Sequence, residues 1–212
     1  MAINTYTDLK TSVADYLARS DLTAVIPTFI VLAEDRINRK LRAHDMQVTA
    51  SVTMSSGVGS LPADFLEWSS ARWEGSARQQ DLKYREPNSE EWRVRYRPNG
   101  DPSMFSIIGN QLKIRPVASG NVTLDYYQKV TALSTSNETN WLIIRAPGVY
   151  LNYTLAEASL YLKDGEKAVA YLTLAESGLK DVTMDGDSNK LERRTARPIE
   201  DTNLEVVQKL QP

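Results

Sequence analysis

The sequence predicts an α+β fold, mainly α: a four-helix bundle with a small inserted antiparallel sheet and an extended C-terminal tail. Three observations predict it. Apolar residues recur every three to four positions in two segments near the N-terminus and two near the C-terminus. Between residues 47 and 130 the period falls to two. Beyond residue 185 large apolar residues become sparse and charges dominate.

The first helix is expected over residues 5–19. Thr5 with Asp8 three positions later has the form of a capping box, and Leu9, Val13, Tyr16 and Leu17 form one apolar face. The second is expected over 26–44, with Pro27 in the first turn, where its missing N–H costs nothing. Ile30, Ala33, Ile37 and Leu41 make its buried stripe; Glu34, Asp35, Arg36, Arg39, Lys40 and Arg42 cover the other side. Asp35 and Arg39 stand at i,i+4 in the order the helix dipole favours.

The insert spans 47–130. Val48, Ala50, Val52 and Met54 alternate with polar residues, and SSGVGSLP forms a turn before a strand near 65–73. Gly109 and Asn110 form a hairpin turn between two short strands, and NVTLDYYQKV adds another with Val122, Leu124 and Tyr126 on one face. Helical spacing returns near Asn140. The third helix is expected over 147–163, opened by Pro147, with Leu151, Leu155, Ala158 and Leu162 as core. Tyr150, Tyr153, Glu157 and Tyr161 lie on a neighbouring face that either completes the core or meets another subunit. Gly165 is the expected C-cap, and the fourth helix covers 166–184 through Ala168, Tyr171, Leu172, Ala175, Leu179 and Val182. Residues 1–185 then make one body and 186–212 a tail for docking on a partner.

Composition narrows the function. The 212 residues are 42% hydrophobic and 25% charged, enough for a core without staples, and the net charge of −2 lacks the basic excess of a dedicated DNA-binding surface. There is no cysteine, which removes thiol catalysis, thiolate metal sites and disulfides. MAINTYTDLK has no signal-peptide character, and no apolar run is long enough to span a membrane.

Candidate chemistry is thin. His44 is the only histidine and sits at a helix C-terminus, where partial positive charge is welcome. No metal or cofactor is expected; DGD at 185–187 lacks the rest of a calcium loop. Glu90 with Glu91, or Asp64 with Glu67, supply the carboxylate pairs that a small cell-wall glycan hydrolase would need. In WRVRYRP, strand geometry would put Arg93, Arg95 and Arg97 on one face. That face suits the carboxylates of an adjacent subunit, solvent, or a single-stranded nucleic acid stacked on the interleaved aromatics.

Three segments carry a family resemblance: MAINTYTDLKTSVADYLARSDLTAVIPTFIVLAEDRINRKLR, SLPADFLEW and NWLIIRAPGVYLNYTLAEASLYLKDGEKAVAYL, in that order, with LDYYQKV before the last. Over residues 1–180 the chain resembles the head-to-tail adaptor (neck, connector) proteins of tailed phages, the group that includes the tail tubular protein A type. The resemblance implies a non-enzymatic virion protein: a homododecameric ring beneath the portal, assembled in the host cytoplasm and sited at the virion neck. It would extend the DNA channel, with double-stranded DNA passing without tight binding, and give the tail or nozzle its platform. It also implies that a C-terminal extension reaches the portal. In this chain that extension would offer Lys190, Arg193, Arg194 and Arg197 to carboxylates. Leu204, Val206 and Leu210 alternate as in an added strand; Leu204, Val207 and Gln208 would suit a helix instead.

Overall fold

The computed structural model describes residues 2–19, 21–75, 79–94 and 100–195, with Val94 and the last eleven as backbone only. Six α-helices and eight strands in two sheets are described, 43% helix and 25% strand, so the four-helix bundle with one small sheet is overturned. The helices are α1 (Tyr6–Leu17), α2 (Ile26–Lys40), α3 (Glu90–Val94), α4 (Trp141–Arg145), α5 (Pro147–Tyr161) and α6 (Gly165–Thr195); His44–Met46 forms a 3-10 turn. The strands are β1 (Gln47–Met54), β2 (Val58–Ser60), β3 (Phe65–Trp73), β4 (Gln80–Asp81), β5 (Lys83–Tyr84), β6 (Met104–Ile108), β7 (Gln111–Arg115) and β8 (Gly120–Gln128).

α5 is the centre of the helical layer. It packs against α6, α2, α1 and α4, and residues on every side of it are buried, including Val149, Tyr150, Leu151, Tyr153, Leu155, Ala156 and Ala158. A helix apolar all round has no solvent face to offer, so its neighbours must enclose it. Against it come Leu9 and Val13 of α1, and Ile30, Ala33 and Ile37 of α2, joined by Ala175, Leu179 and Val182 of α6. Tyr16, expected in the α1 stripe, is 64% exposed; Tyr6 is buried instead. The Thr5–Asp8 capping box forms as expected, Asp8 N–H donating to Thr5 Oγ1 at 3.0 Å and Thr5 N–H to Asp8 Oδ2 at 3.1 Å. The Thr5 hydroxyl, then the Asn4 and Thr5 N–H groups, hold the Asp8 carboxyl below its usual range.

Chain breaks follow local chemistry. Asn140 caps α4 by accepting from Ile143 N–H at 2.9 Å, and Pro147 opens α5. The α5–α6 turn differs from expectation: Lys163 takes the left-handed conformation (φ 61°), while Gly165 begins α6. Asp164 then caps α6, accepting from Lys167 N–H at 3.2 Å.

The insert is larger than its alternating stretches suggest. One sheet has the order β1-β8-β3-β4 and the other β2-β7-β6-β5. All neighbours are antiparallel except β5 and β6, which run parallel. The sheets share a second core: Val52, Met54, Ala71, Trp73, Val122, Leu124 and Tyr126 from one, Phe105, Leu112 and Ile114 from the other. The extra strands have two or three residues each, too short to show any period. Gly109 (φ 61°) turns the β6–β7 hairpin as expected.

Candidate assembly surfaces

The two layers are joined by residues 129–140, which leave β8 and run beneath α1, α2 and α5. An irregular segment under cover must find partners for its backbone groups. α2 supplies them: Asn38 Oδ1 accepts from Val130 N–H at 2.8 Å and Glu34 Oε1 from Leu133 N–H at 2.7 Å. Asn140 Nδ2 donates to Thr131 O and to Tyr150 Oη, both at 2.7 Å. The Tyr150 hydroxyl in turn donates to Glu34 Oε1 at 3.3 Å. Glu138 closes the joint from below, its carboxylate accepting from Thr7 N–H at 2.9 Å and the Thr7 hydroxyl at 3.1 Å at the start of α1.

Burial raises the Glu34 carboxyl, and the bonds from Leu133 and Tyr150 only partly offset it. Burial and the Glu34 charge also push the Tyr150 phenol upward. Glu34 was expected on the solvent side of its helix, yet it is buried. The signal was present: Glu34 stands at i+4 from Ile30 and i−3 from Ile37, within the stripe itself. Glu157, buried on α5, is likewise met by Arg36 of α2.

This joint decides the fate of two expected interface residues. Tyr150 and Tyr153 are both 0% exposed, so they belong to the subunit core and present nothing to a neighbouring copy. α5 is surrounded, and any aromatic on its middle turns is enclosed. Of the three tyrosines on α5 only Tyr161, at its end, is exposed; its ring leans on Phe29 with centroids 5.4 Å apart. Other exposed apolar side chains are Val31 and Leu32 on α2, Ile144 on α4, and Val169, Leu174 and Met184 on α6. Leu179, Thr183 and Met184 of α6, with Lys40 of α2, line a shallow groove between those helices.

The arginine segment is not a strand where it is described. Trp92 and Arg93 lie in α3, where the Ser89 hydroxyl accepts from Trp92 N–H at 3.3 Å, and Arg93 is exposed. Arg93 is therefore helical rather than part of a strand; Arg95 and Arg97 lie outside the described residues. Trp92 is buried beneath the Arg115 guanidinium, 4.6 Å from its ring centroid.

Three of the four carboxylates have separate partners. Glu91 pairs with Arg85, and Glu67 with Arg42 at 2.8 Å. Asp64 accepts from the Tyr126 hydroxyl at 3.0 Å, which together with burial pushes that phenol up to about 12. No group of three or more His, Asp or Glu side chains placed to hold a metal ion occurs among the described residues. Nor is any helix among them long and apolar enough to cross a membrane.

The C-terminal region departs from expectation at its start. α6 does not stop near 184 but continues to Thr195, so the backbone at Lys190, Arg193 and Arg194 is helical. Their side chains, and all of Arg197, Leu204, Val206, Val207 and Leu210, lie outside the described residues.

A closed helical layer thus packs beside a two-sheet layer, with apolar side chains exposed on several of the outer helices. The family model of the SU10 adaptor protein matches residues 4–199, and the chain belongs to that family of phage head-to-tail adaptors. No curated protein matches the chain.

Proposed function

We propose that copies of this chain form a ring, a dodecamer by its resemblance to neck proteins, beneath the portal at the virion neck after assembly in the host cytoplasm. The ring extends the DNA channel and gives the tail or nozzle its platform; its role is structural, without catalysis. The match to the adaptor family over nearly the whole chain carries this reading. A ring needs a heterologous contact, with one patch meeting a different patch on the next copy. The exposed Val31 and Leu32 of α2 and Val169 and Leu174 of α6 are candidates for two such patches. Arg93, Arg95 and Arg97 are offered to carboxylates of a neighbouring subunit. The net charge of −2 suits a channel through which DNA slides, because mildly acidic walls repel phosphate.

In this reading residues 1–185 form the body and 186–212 the arm that docks on a partner, reaching the portal through Lys190, Arg193, Arg194 and Arg197. The arm begins as helix: α6 has 31 residues against 15 for α5, about 24 Å more at 1.5 Å per residue. A segment that orders only on contact gives assembly a sequence, since it cannot lock before its partner exists. Deleting residues 187–212 should leave a subunit that melts within a few degrees of the full chain (~3 °C) yet fails to attach to filled heads. Normal attachment of the truncated chain, counted in electron micrographs, would remove the arm from the mechanism.

A further inference from the structure

The two sheets have four edge strands, and three are blunted. β4 and β5 have two residues each and carry Asp81 and Lys83; β2 has three. β1 is different. It has eight residues, QVTASVTM, with no charge and no proline, and its register with β8 is unbroken from Gln47 to Met54. The bulges of that sheet lie in the β3–β8 ladder instead. Long, regular, uncharged edges are what soluble proteins avoid, because they are templates for another strand.

The direction of its backbone groups follows from the hydrogen bonds. Ser55 and Val58 exchange both bonds, at 2.9 and 3.0 Å, on the side away from β8. By alternation Thr53, Ser51 and Thr49 point the same way. The far side of the sheet agrees: Glu74 N–H donates to Asn121 O at 3.0 Å, so Asn121 faces β3, and its neighbour Val122 faces Val52 of β1. At Thr53 the edge is occupied, since a Cβ on Gly59 of β2 would lie 2.9 Å from Thr53 O. The N–H and C=O groups of Thr49 and Ser51 have no partner among the described residues. Val48 and Ala50 on the core side are only half-buried there, whereas Val52 and Met54 are buried. Among the described residues no strand neighbours the outer side of β1 along Gln47 to Ser51.

An occupant must bring apolar residues to the Val48 and Ala50 side and polar ones to the Thr49 and Ser51 side. Residues 204–210, LEVVQKL, do this in part: Leu204, Val206 and Leu210 share one side of a strand with Gln208, and Glu205 and Lys209 share the other with Val207. Position is favourable too. α6 packs against the 3-10 turn His44–Met46, which leads directly into β1. α6 reaches well beyond α5, and the chain between Thr195 and residue 204 spans at most about 30 Å more, carrying the segment outward.

We propose that Thr49 and Ser51 on the open edge of β1 accept residues 204–210 of a second copy as an added strand, linking neighbouring subunits. This rests on the ring reading and refines the arm: its apolar end holds the next copy, leaving residues 190–197 for the portal.

The cysteine-free chain allows a direct test. Tagged full-length protein carrying Thr49→Cys is mixed with untagged protein carrying Glu205→Cys, Val207→Cys or Lys209→Cys, then oxidised, both as purified chain and as necks of assembled particles. The expected result is a disulfide between tagged and untagged copies, with Lys10→Cys in place of Thr49→Cys giving only background. Adding Ser51→Pro should abolish the link, because that N–H points away from β8 and the β1–β8 ladder survives. Val206→Pro in the donor should do the same without touching the acceptor. Absence of the link from both samples, a link confined to single chains, or one indifferent to both prolines overturns the proposal. Particles that keep normal rings without the link refute this inference and leave the adaptor reading standing; absence of the unsubstituted chain from the neck refutes that reading instead.

Discussion

The helical layer and the sandwich solve burial in opposite ways. The helical layer is closed: α5 is wrapped by four other helices, and even the irregular segment crossing beneath it is pinned by Glu34, Asn38, Asn140 and Glu138. Among the described residues the sandwich is open along β1, and it carries a polar outer face. There Asp125 accepts from the hydroxyls of Thr49 and Ser70 and lies 3.6 Å from Arg72. Burial presses its carboxyl upward, but those three partners together hold it below the usual value. One layer supplies a body that keeps its shape, the other an edge that can be joined.

The largest test of the contrast is Leu155→Asp. Leu155 is fully buried at the middle of α5, and an unpaired carboxylate there should cost about 4 kcal/mol or more, enough to prevent folding. A soluble variant with a cooperative melt would mean that α5 is not the centre of the layer. Next comes Gly120→Ala, which probes the sandwich alone. A Cβ there would stand 2.7 Å from the buried Trp73 ring, and Gly75 presses on the same ring, so Trp73 fits only because both are glycine. A loss of about 1–3 kcal/mol is expected, with altered tryptophan fluorescence and the helical circular dichroism kept. Simultaneous loss of both signals would make the two layers one cooperative core.

Smallest is the effect of Glu34→Gln on pH dependence. Burial raises the folded pKa of Glu34 above the value of 4.5 it has when unfolded, so within that window the folded state binds more protons. Stability should therefore rise as pH falls from neutrality through the raised pKa. Asp8, Asp21 and Asp164, held below 3.8, act in the opposite sense only at more acid pH. Denaturant melts should show this gain in the wild type and not in Glu34→Gln; equal pH profiles would place water at the carboxylate.

Much of this was legible in the residues. The Thr5–Asp8 box, the Ile30, Ala33, Ile37 and Leu41 stripe, the strand at 65–73 and the Gly109 turn are local patterns, and each formed. What escaped depends on partners distant in sequence. Tyr150 and Tyr153 have the spacing of an outer face, and only the neighbours of α5 make it an inner one. The two-residue strands β4 and β5 exist because β3 and β6 offer them a ladder, not through any pattern of their own. The Arg93 segment alternates like a strand, yet Ser89 and the acids at its start nucleate a helix. The open edge of β1 was invisible for the same reason: a sequence shows a strand, but not which side of it is left without a neighbour.

An image of the neck of the native particle, reconstructed at a resolution that shows secondary structure, tests the central claim most directly. A closed ring of copies of this chain is expected between the portal and the tail, with the C-terminal end of α6 directed toward the portal. Density for this chain elsewhere in the particle, or a neck in which portal and tail meet without it, would contradict the account.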